Sequence, residues 1–291
     1  MSDETKNRVL PRTLYLVGTP IGNLSDISER ALHVLGECDF IAAEDTRNTA
    51  KLLSLLGIRR PLVSYHEHNQ RSRGEEICAR LLAGESCSLV TDAGMPAISD
   101  PGEGLVRLCE EKGITVSCIP GPCALVTALA LSGLSTSRFC FEGFLSPVRG
   151  ERARRLAEIK DERRTMIFYE APHKLRTTLK DLYEAFGDRP VSLCRELTKR
   201  NEEILRLTLS RAIALYDEAE PRGEYVLVLA GLEEATGEKW KPPVDEKLLS
   251  LSAEEHVAHY EEAGLGHMEA IKQAARDRGM TKSELYKLLN S

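Results

Sequence analysis

Several short stretches carry residues able to do chemistry, and the glycine- and proline-rich ones each follow an apolar, β-rich run. Gly18-Thr19-Pro20-Ile21-Gly22-Asn23 comes directly after LYLV, where a glycine turn lets backbone amides approach a ligand closely. Its spacing matches neither G-x-G-x-x-G nor a loop ending in G-K-[ST], which argues against a nicotinamide cofactor or a nucleoside triphosphate. Thr91 to Gly102, TDAGMPAISDPG, packs two Gly and two Pro into twelve residues after SLV. An ordinary helix entry needs only a cap, so this elaboration predicts a loop that shapes a pocket. Ile119-Pro120-Gly121-Pro122-Cys123-Ala124 repeats the device and opens a helix of almost wholly apolar residues, expected to be buried. The small side chains of Cys123 and Ala124 leave room for a flat group. Glu44-Asp45-Thr46-Arg47 reads two ways, as an acidic ribose anchor or as an Asp/Arg pair that caps the next helix. His66 and His68 flank Glu67 without a third ligand at defined spacing, so they read as surface or substrate-facing histidines. His256-x-x-His259 has the wrong order for a metalloprotease. No metal site is expected.

Elements must hold these loops in place. LYLVG (14–18), FIAAE (40–44), LVSY (62–65), SLVTD (88–92) and VSCIP (116–120) are β-rich, and helically spaced segments ending near Gly36, Gly57, Gly84 and Gly113 lie between them. Alternating strand and helix predicts a mostly parallel sheet, whose ligands lie beyond the C-terminal ends of the strands. GFLSPVRG (143–150) reads as a linker to a second unit. That unit holds an Arg-rich helix (149–160), the strands TMIFYE, VSLCRE, EILRLTL and EYVLVLAG, and two further helices. Two of those strands are close in sequence, which predicts a mixed sheet. The expected organisation is a flexible N-terminus (1–12), an N-terminal α/β domain (13–145), a second α/β domain (146–233), a linker (234–246) and a helical appendage (247–291). Thr281 with Glu284 fits a capping box. Lys272, Arg276, Arg278, Lys282 and Lys287 support a nucleic-acid-binding helix-turn-helix in the appendage, against a plain helical pair.

A chain of 291 residues accommodates two domains. With 42% hydrophobic and 29% charged residues, its composition excludes collagen-like and largely disordered classes. No apolar run approaches the ~18–20 residues of a spanning helix, and the polar opening MSDETKNRVLPR lacks a signal-peptide core. A cytoplasmic protein without membrane association is expected. Eight scattered cysteines, none in a C-x-x-C pair, suggest reduced thiols rather than a disulfide framework or a zinc site. A net charge of −6 argues against a surface that grips nucleic acid everywhere. Residues 147–200 nevertheless hold 14 Lys/Arg against 9 Asp/Glu, which leaves room for a local phosphate contact.

Taken together, LYLVGTPIGNLSDISERAL, IAAEDTRNT, LVTDAGMPAISDPG, IPGPCALVTALALSGL, RFCFEGFL, TMIFYEAPHKL and RELTK resemble the tetrapyrrole methylase superfamily. The likeness runs over about residues 13–231 and is to its small-subunit ribosomal RNA methyltransferase I branch. The resemblance implies a two-domain α/β methyltransferase, usually a homodimer, that uses S-adenosylmethionine to methylate the 2′-oxygen of a cytidine ribose in the decoding centre of 16S rRNA. Carried over, it places the cofactor between the domains, against Pro20, then Asp92, Ala93, Gly94, Met95 and Ala97, then Cys123 and Ala124, with Phe168, Tyr169 and Gly223 from the second domain. Many macrocycle-acting relatives carry G-x-G-P-G-D where this chain has G-T-P-I-G-N, and Asn23 in place of the acid favours the RNA branch.

The implied reaction is an in-line displacement in which a ribose hydroxyl attacks a sulfonium methyl. Alignment of the reactants then supplies much of the acceleration, and the hydroxyl proton needs an acceptor. Asp45, His66 and Glu170, each near a strand end, are candidates, as is a water. Arg47, Arg149, Arg152, Arg154 and Arg155 are candidate RNA phosphate contacts, against a solvated basic helix face. Two alternatives use the same sequence: a corrin or porphyrin C-methyltransferase, and a cofactor-sensing regulator that binds nucleic acid.

Overall fold

A computed structural model describes residues 8–232, 248–249, 251–262, 265–278 and 280–289. The expected linker 234–246 lies outside the described residues, and only 8–12 of the N-terminal segment lie within them. The chain forms two compact units, one reaching Gly237 and one starting at Glu238.

The first unit contains two sheets. Strands β1 (Thr13–Val17), β2 (Phe40–Ala43), β3 (Leu62–Ser64), β4 (Cys87–Val90) and β5 (Thr115–Ile119) form one in the order β3-β2-β4-β1-β5, with every pair parallel. Helices α1 (Glu29–Glu37), α2 (Thr46–Leu55), α3 (Gln70–Leu82) and α4 (Glu103–Glu111) join them. Side chains alternate along each strand: Leu14 and Ala42 meet Ile77, Leu81 and Leu105 of α3 and α4, whereas Tyr15 and Ile41 meet Val34, Leu35 and Leu53 of α1 and α2. Both faces are therefore covered, which is why these strands read as continuous apolar runs. Neighbouring β1 and β4 send their helices to opposite faces. Their C-terminal ends thus open a crevice, the position where such sheets bind ligands.

The second sheet has the order β6-β7-β10-β8-β9 and contains β6 (Phe139–Phe144), β7 (Thr165–Glu170), β8 (Pro190–Arg195), β9 (Glu203–Thr208) and β10 (Tyr225–Leu229). It is mixed: β6 and β7 are parallel, and the remaining neighbours antiparallel. Helices α6 (Arg149–Glu158), α7 (Pro172–Phe186) and α8 (Leu209–Glu218) cover one face. The other face packs on α5 (Ala124–Ser132), through Leu125, Ala128 and Leu129 against Ile167, Cys194 and Val228.

Two readings are corrected here. Residues 143–150 do not simply link domains, because Gly143 and Phe144 end β6, and a boundary at 145 would cut that strand from its sheet. Gly143 (φ 65°) lies at an irregularity in the pairing with β7, so its glycine marks a bulge within a strand rather than the strand's end. Helix α5, whose sequence predicts full burial, leaves Val126 47% and Leu131 36% exposed, because only one of its sides faces the second sheet.

Among the described residues of the second unit, helices α9 (Ala253–Glu262), α10 (His267–Asp277) and α11 (Lys282–Leu289) pack around Val257, Ile271, Ala274 and Leu285. Capping boxes start two of them. Glu255 N–H donates to Ser252 Oγ while Ser252 N–H donates to the Glu255 carboxylate, and Thr281 and Glu284 repeat the exchange. Arg278, counted above among possible nucleic-acid contacts, donates instead to His256 Nδ1 and to the carbonyls of Leu251 and Ser252. It ties the start of α9 to the end of α10.

Candidate active site

Three strand-end loops are pinned to one another at the crevice. Thr19 and Gly94 exchange backbone hydrogen bonds of 2.9 and 3.1 Å, and Thr19 Oγ1 donates to the Thr91 carbonyl at 3.2 Å. The loops after β1 and β5 touch through their backbones: a Cβ on Gly18 would lie 2.7 Å from Gly121 Cα, a separation side chains do not tolerate. Within the loop after β4, Ala97 and Ser99 adopt left-handed φ values of 67° and 63°, each costing about 1–3 kcal/mol. Gly102 (φ 155°) sits against Ala97, whose Cβ would be 2.8 Å from any Cβ placed on it. This is an expensive path for a loop whose task were only to reach α4.

What these contacts shape is a cavity of about 480 Å³, within the usual range for a small-molecule site. Its floor comes from Asp92, Ala93, Gly94 and Met95 with Ile98, Ser99 and Asp100; Ile21, Cys123 and Ala124 add the other first-sheet loops. The second sheet supplies Phe144 and Tyr169 on one side, and Leu197, Lys199, Glu224 and Val226 on the other. Tyr169 is fixed by edge contacts with Phe141 and Phe144 at 4.9 and 5.5 Å, and its hydroxyl accepts the Leu125 N–H at the start of α5. Burial pushes its phenol well up from the ordinary value.

Charge is unevenly placed around this cavity. Lys199 lies between Glu196 and Glu224, 2.8 Å from each. Elsewhere on the wall stand Glu44, Asp92 and Asp100. Asp92 accepts a hydrogen bond from Asn48 Nδ2 at 2.8 Å. Burial, reinforced by Asp92, raises Glu44. Asp100 is pushed up to about 7, by burial first and then by the charges of Glu44 and Asp92.

Of the residues expected against a cofactor, Asp92, Ala93, Gly94, Met95, Cys123, Ala124 and Tyr169 line this cavity, whereas Pro20, Ala97, Phe168 and Gly223 do not. The exceptions have local causes. Thr19 pairs with Gly94 and turns the chain so that Ile21, not Pro20, reaches the wall. Ala97 packs under Gly102. Phe168 precedes Tyr169 in β7, so its side chain points to the opposite face and is wholly buried against α7 and α8. Gly223 (φ 78°) turns against Glu196, and its successor Glu224 lines the cavity instead. Residues missed in the sequence include Ile98, Ser99 and Asp100. A second aspartate besides Asp92 within the Gly/Pro-rich loop was the available signal for the last of these.

The proposed proton acceptors fare differently. Asp45 lies outside the cavity lining, caps α2 through the Arg47 N–H at 2.8 Å and pairs with the Arg47 guanidinium at 2.7 Å. Those bonds hold its carboxyl far below the usual range, so the capping alternative describes what the structure shows. His66 is also outside the lining; its backbone N–H donates to Asn69 Oδ1, and its ring lies 3.2 Å from Asn69 Nδ2. Glu170 does line the cavity, but one oxygen accepts the Ala171 N–H and the other the Thr178 hydroxyl. These bonds tie it to α7. Among the arginines, Arg152 is held by Asp181 and the Ser146 carbonyl, Arg155 by Glu142 and Glu158, and Arg47 by Asp45. Arg149 and Arg154 stand exposed. Among the described residues, no three His, Cys, Asp or Glu side chains are placed to share a metal ion, and no helix is long and apolar enough to cross a membrane.

Residues 13–213 match the family model described as Tetrapyrrole (Corrin/Porphyrin) Methylases. A protein of Halalkalibacterium halodurans named Ribosomal RNA small subunit methyltransferase I is 49% identical over 276 residues, covering 95% of this chain and 94% of that protein. Its namesake in Bacillus subtilis is 46% identical over 277 residues, covering 94% and 92%. Among solved structures, uroporphyrin-III-C-methyltransferase from Thermus thermophilus superposes with a TM-score of 0.54 at 19% identity, over 77% of this chain and 97% of that one. A diphthine synthase superposes with a TM-score of 0.57 at 15% identity, over 75% and 89%, likenesses that concern the fold. With two sheets meeting at a strand-end cavity, a family match over most of its length and relatives near half identity almost end to end, the chain belongs to the tetrapyrrole (corrin/porphyrin) methylase family.

Proposed function

We propose that this chain is an S-adenosylmethionine-dependent methyltransferase acting on the ribosomal RNA of the small subunit, at the 2′-oxygen of a cytidine ribose, in the cytoplasm. One observation carries ribosomal RNA over a macrocycle: identity of 46–49% with ribosomal RNA methyltransferases over more than nine-tenths of both chains. The named macrocycle methyltransferase shares 19%. Asn23 agrees with this choice, since its side chain accepts the Ser25 N–H to start a short 3-10 turn and leaves no carboxylate at that point of the first loop.

The donor fits the cavity residues. Met95, Ala124 and Val226 offer an apolar slot for a flat base, Cys123 and Ala124 keep it open, and the loop backbones at Gly94 and Thr19 are already fixed. Glu44, Asp92 and Asp100 supply the negative field that a sulfonium and an amine require. Bound there, the donor supplies a methyl on a good leaving group. The chain's own task is then to align the acceptor and exclude water. Arg149 and Arg154 are the members of the basic helix left to contact RNA phosphate.

A homodimer is proposed as the working form. Strand β6 ends its sheet, with Phe139 and Phe144 exposed, an apolar open edge suited to cover by a second copy. Light scattering on the purified protein should give twice the 32.3 kDa chain mass.

The deciding experiment offers the protein labelled donor with small ribosomal subunits from cells lacking it, and separately with a tetrapyrrole precursor. Label in the ribose of one 16S rRNA cytidine supports the proposal; label in the macrocycle favours the second enzymatic reading. No transfer to either, combined with duplex DNA binding that disappears on removal of residues 247–291, favours a regulator.

A further inference from the structure

Apart from Arg12, the described non-glycine residues with left-handed φ fall in two pairs: Ala97 and Ser99 in the loop after β4, and Glu196 (50°) and Thr198 (65°) after β8. The second pair is pressed against two glycines. A Cβ on Gly22 would lie 2.9 Å from Thr198 Oγ1 and closer still to Lys199 Cγ, and one on Gly223 would lie 2.5 Å from Glu196 Cγ. Hydrogen bonds lock the loop further. Asn23 N–H donates to Thr198 Oγ1 at 3.1 Å, Thr198 N–H to the Glu202 carboxylate at 2.7 Å, and Glu196 N–H to the Glu224 carbonyl at 3.0 Å. The strain, about 1–3 kcal/mol at each of the two residues, fixes Lys199, whose ammonium donates to Glu196 Oε1 and Glu224 Oε2.

A cavity for a cationic donor gains from Glu44, Asp92 and Asp100 and gains nothing from an ammonium. The two glutamates offset that charge, but an apolar residue would have needed no offset. The pairing is also left incomplete. Glu196 Oε1 accepts the Glu224 N–H as well as Lys199, whereas one ammonium N–H of Lys199 and the second oxygen of Glu224, Oε1, have no partner among the described residues. Both side chains line the cavity, and that of Glu224 is 81% exposed, so the pair faces what enters from solvent. Where the first loop meets the second sheet, the rim therefore presents a hydrogen-bond donor beside an acceptor.

We propose that Lys199 and Glu224 read the base of the acceptor nucleotide and select cytosine over uracil. This rests on the ribose-methylation reading given above. On its pairing edge cytosine carries an acceptor, N3, beside a donor, the N4 amine. The free N–H of Lys199 matches the first and Glu224 Oε1 the second. Uracil presents the reverse, an N3–H beside the O4 acceptor, so ammonium would meet N–H and carboxylate would meet carbonyl. Opposed groups of this kind reject a wrong partner more strongly than a missing contact does. A base held in this way also orients the attached ribose hydroxyl, which the alignment of an in-line displacement requires. Adenine shares the cytosine pattern, N1 beside the N6 amine, so the donor's own base is the competing occupant and donor affinity tells the two apart.

The test uses the full chain with small subunits carrying either cytidine or uridine at the position that takes label. Wild type should show kcat/KM about tenfold or more higher on the cytidine particles. Glu224→Gln and Lys199→Gln should each bring that ratio close to one without weakening S-adenosylmethionine binding in calorimetry, and Lys199→Arg should retain it. Lys199→Glu combined with Glu224→Lys reverses the pair and should favour uridine. A ratio of one in wild type, or an unaltered ratio in Glu224→Gln, overturns the proposal. Weakened donor binding in Glu224→Gln assigns the pair to the donor's base and overturns it too. The exposed Glu224 decides if Lys199→Gln fails to fold. A wild-type protein inert toward both particles overturns the ribose-methylation reading instead. The pair is then read by NMR titration with cytidine and uridine 5′-monophosphates in the presence of S-adenosylhomocysteine: a cytidine preference that Glu224→Gln abolishes supports it, and equal binding overturns it.

Discussion

Asp45 and Asp100 are the same residue type in loops that follow neighbouring strands of one sheet, and the structure drives them in opposite directions. Asp45 is followed two residues later by Arg47, and the pair closes on itself: backbone amide, guanidinium and carboxylate satisfy one another within one helix turn. Its carboxyl is held far below the usual range and does not line the strand-end cavity. Asp100 has no such partner. Its neighbours are carboxylates brought from other strands, and its carboxyl is raised to about 7 by burial and by Glu44 and Asp92. A strand-end acid is therefore not poised for chemistry by its position alone. What matters is whether a nearby cation can neutralise it, or whether tertiary packing keeps it buried among like charges.

The contrast has measurable consequences. The largest is expected from Asp100→Asn, which removes a carboxylate from the wall of the donor cavity and should weaken donor binding in calorimetry by about tenfold or more; Asp45→Asn, outside that lining, should leave donor binding unchanged in the same assay. Next is Gly121→Ala, whose new Cβ would lie 2.8 Å from Gly18 Cα. It should cost about 1–3 kcal/mol of stability in denaturant unfolding and weaken donor binding in calorimetry, because it parts the loops after β1 and β5 that bring Ile21, Cys123 and Ala124 to the cavity. The self-contained Asp45–Arg47 turn should feel nothing of it.

The pH dependence of melting should separate the two acids by sign. The Asp100 pKa is higher folded than unfolded, so the native state binds the extra proton and Asp100 lowers stability as pH rises from about 4 towards 7; Asp100→Asn should remove that decline. The Asp45 pKa is lower folded than unfolded, so its contribution is present above the unfolded value and is lost on acidification. Asp45→Ala should therefore melt below wild type at neutral pH, and the gap should close in acid. The smallest effect is expected from the basic helix. Arg149→Ser or Arg154→Ser should weaken particle binding by a few-fold and reduce the slope of log affinity against log salt by about 0.7 per lost phosphate contact. Arg155→Ser, whose guanidinium is already held by Glu142 and Glu158, should leave that slope unaltered.

Much of the architecture was written locally. Apolar runs of four to six residues followed by helical spacing announced the parallel sheet, and crowded Gly and Pro after β4 and β5 announced loops built for a ligand. Capping chemistry at Asp45, Ser252 and Thr281 depends on residues two or three positions apart, and spacing alone makes it readable. Other features depend on contacts between distant segments, and no local pattern encodes them. Strand alternation made Tyr169 and Phe168 differ, but which face met the cavity was decided by α5 packing on one side and α7 and α8 on the other. Gly143 opens a stretch whose composition reads as a linker, and only its pairing with β7 shows a bulge within a strand. Glu44, Asp92 and Asp100 come from the ends of two strands and the far end of a loop. Their mutual repulsion exists only once the folded sheet brings them around one cavity, because electrostatic coupling follows distance in space and not separation along the chain.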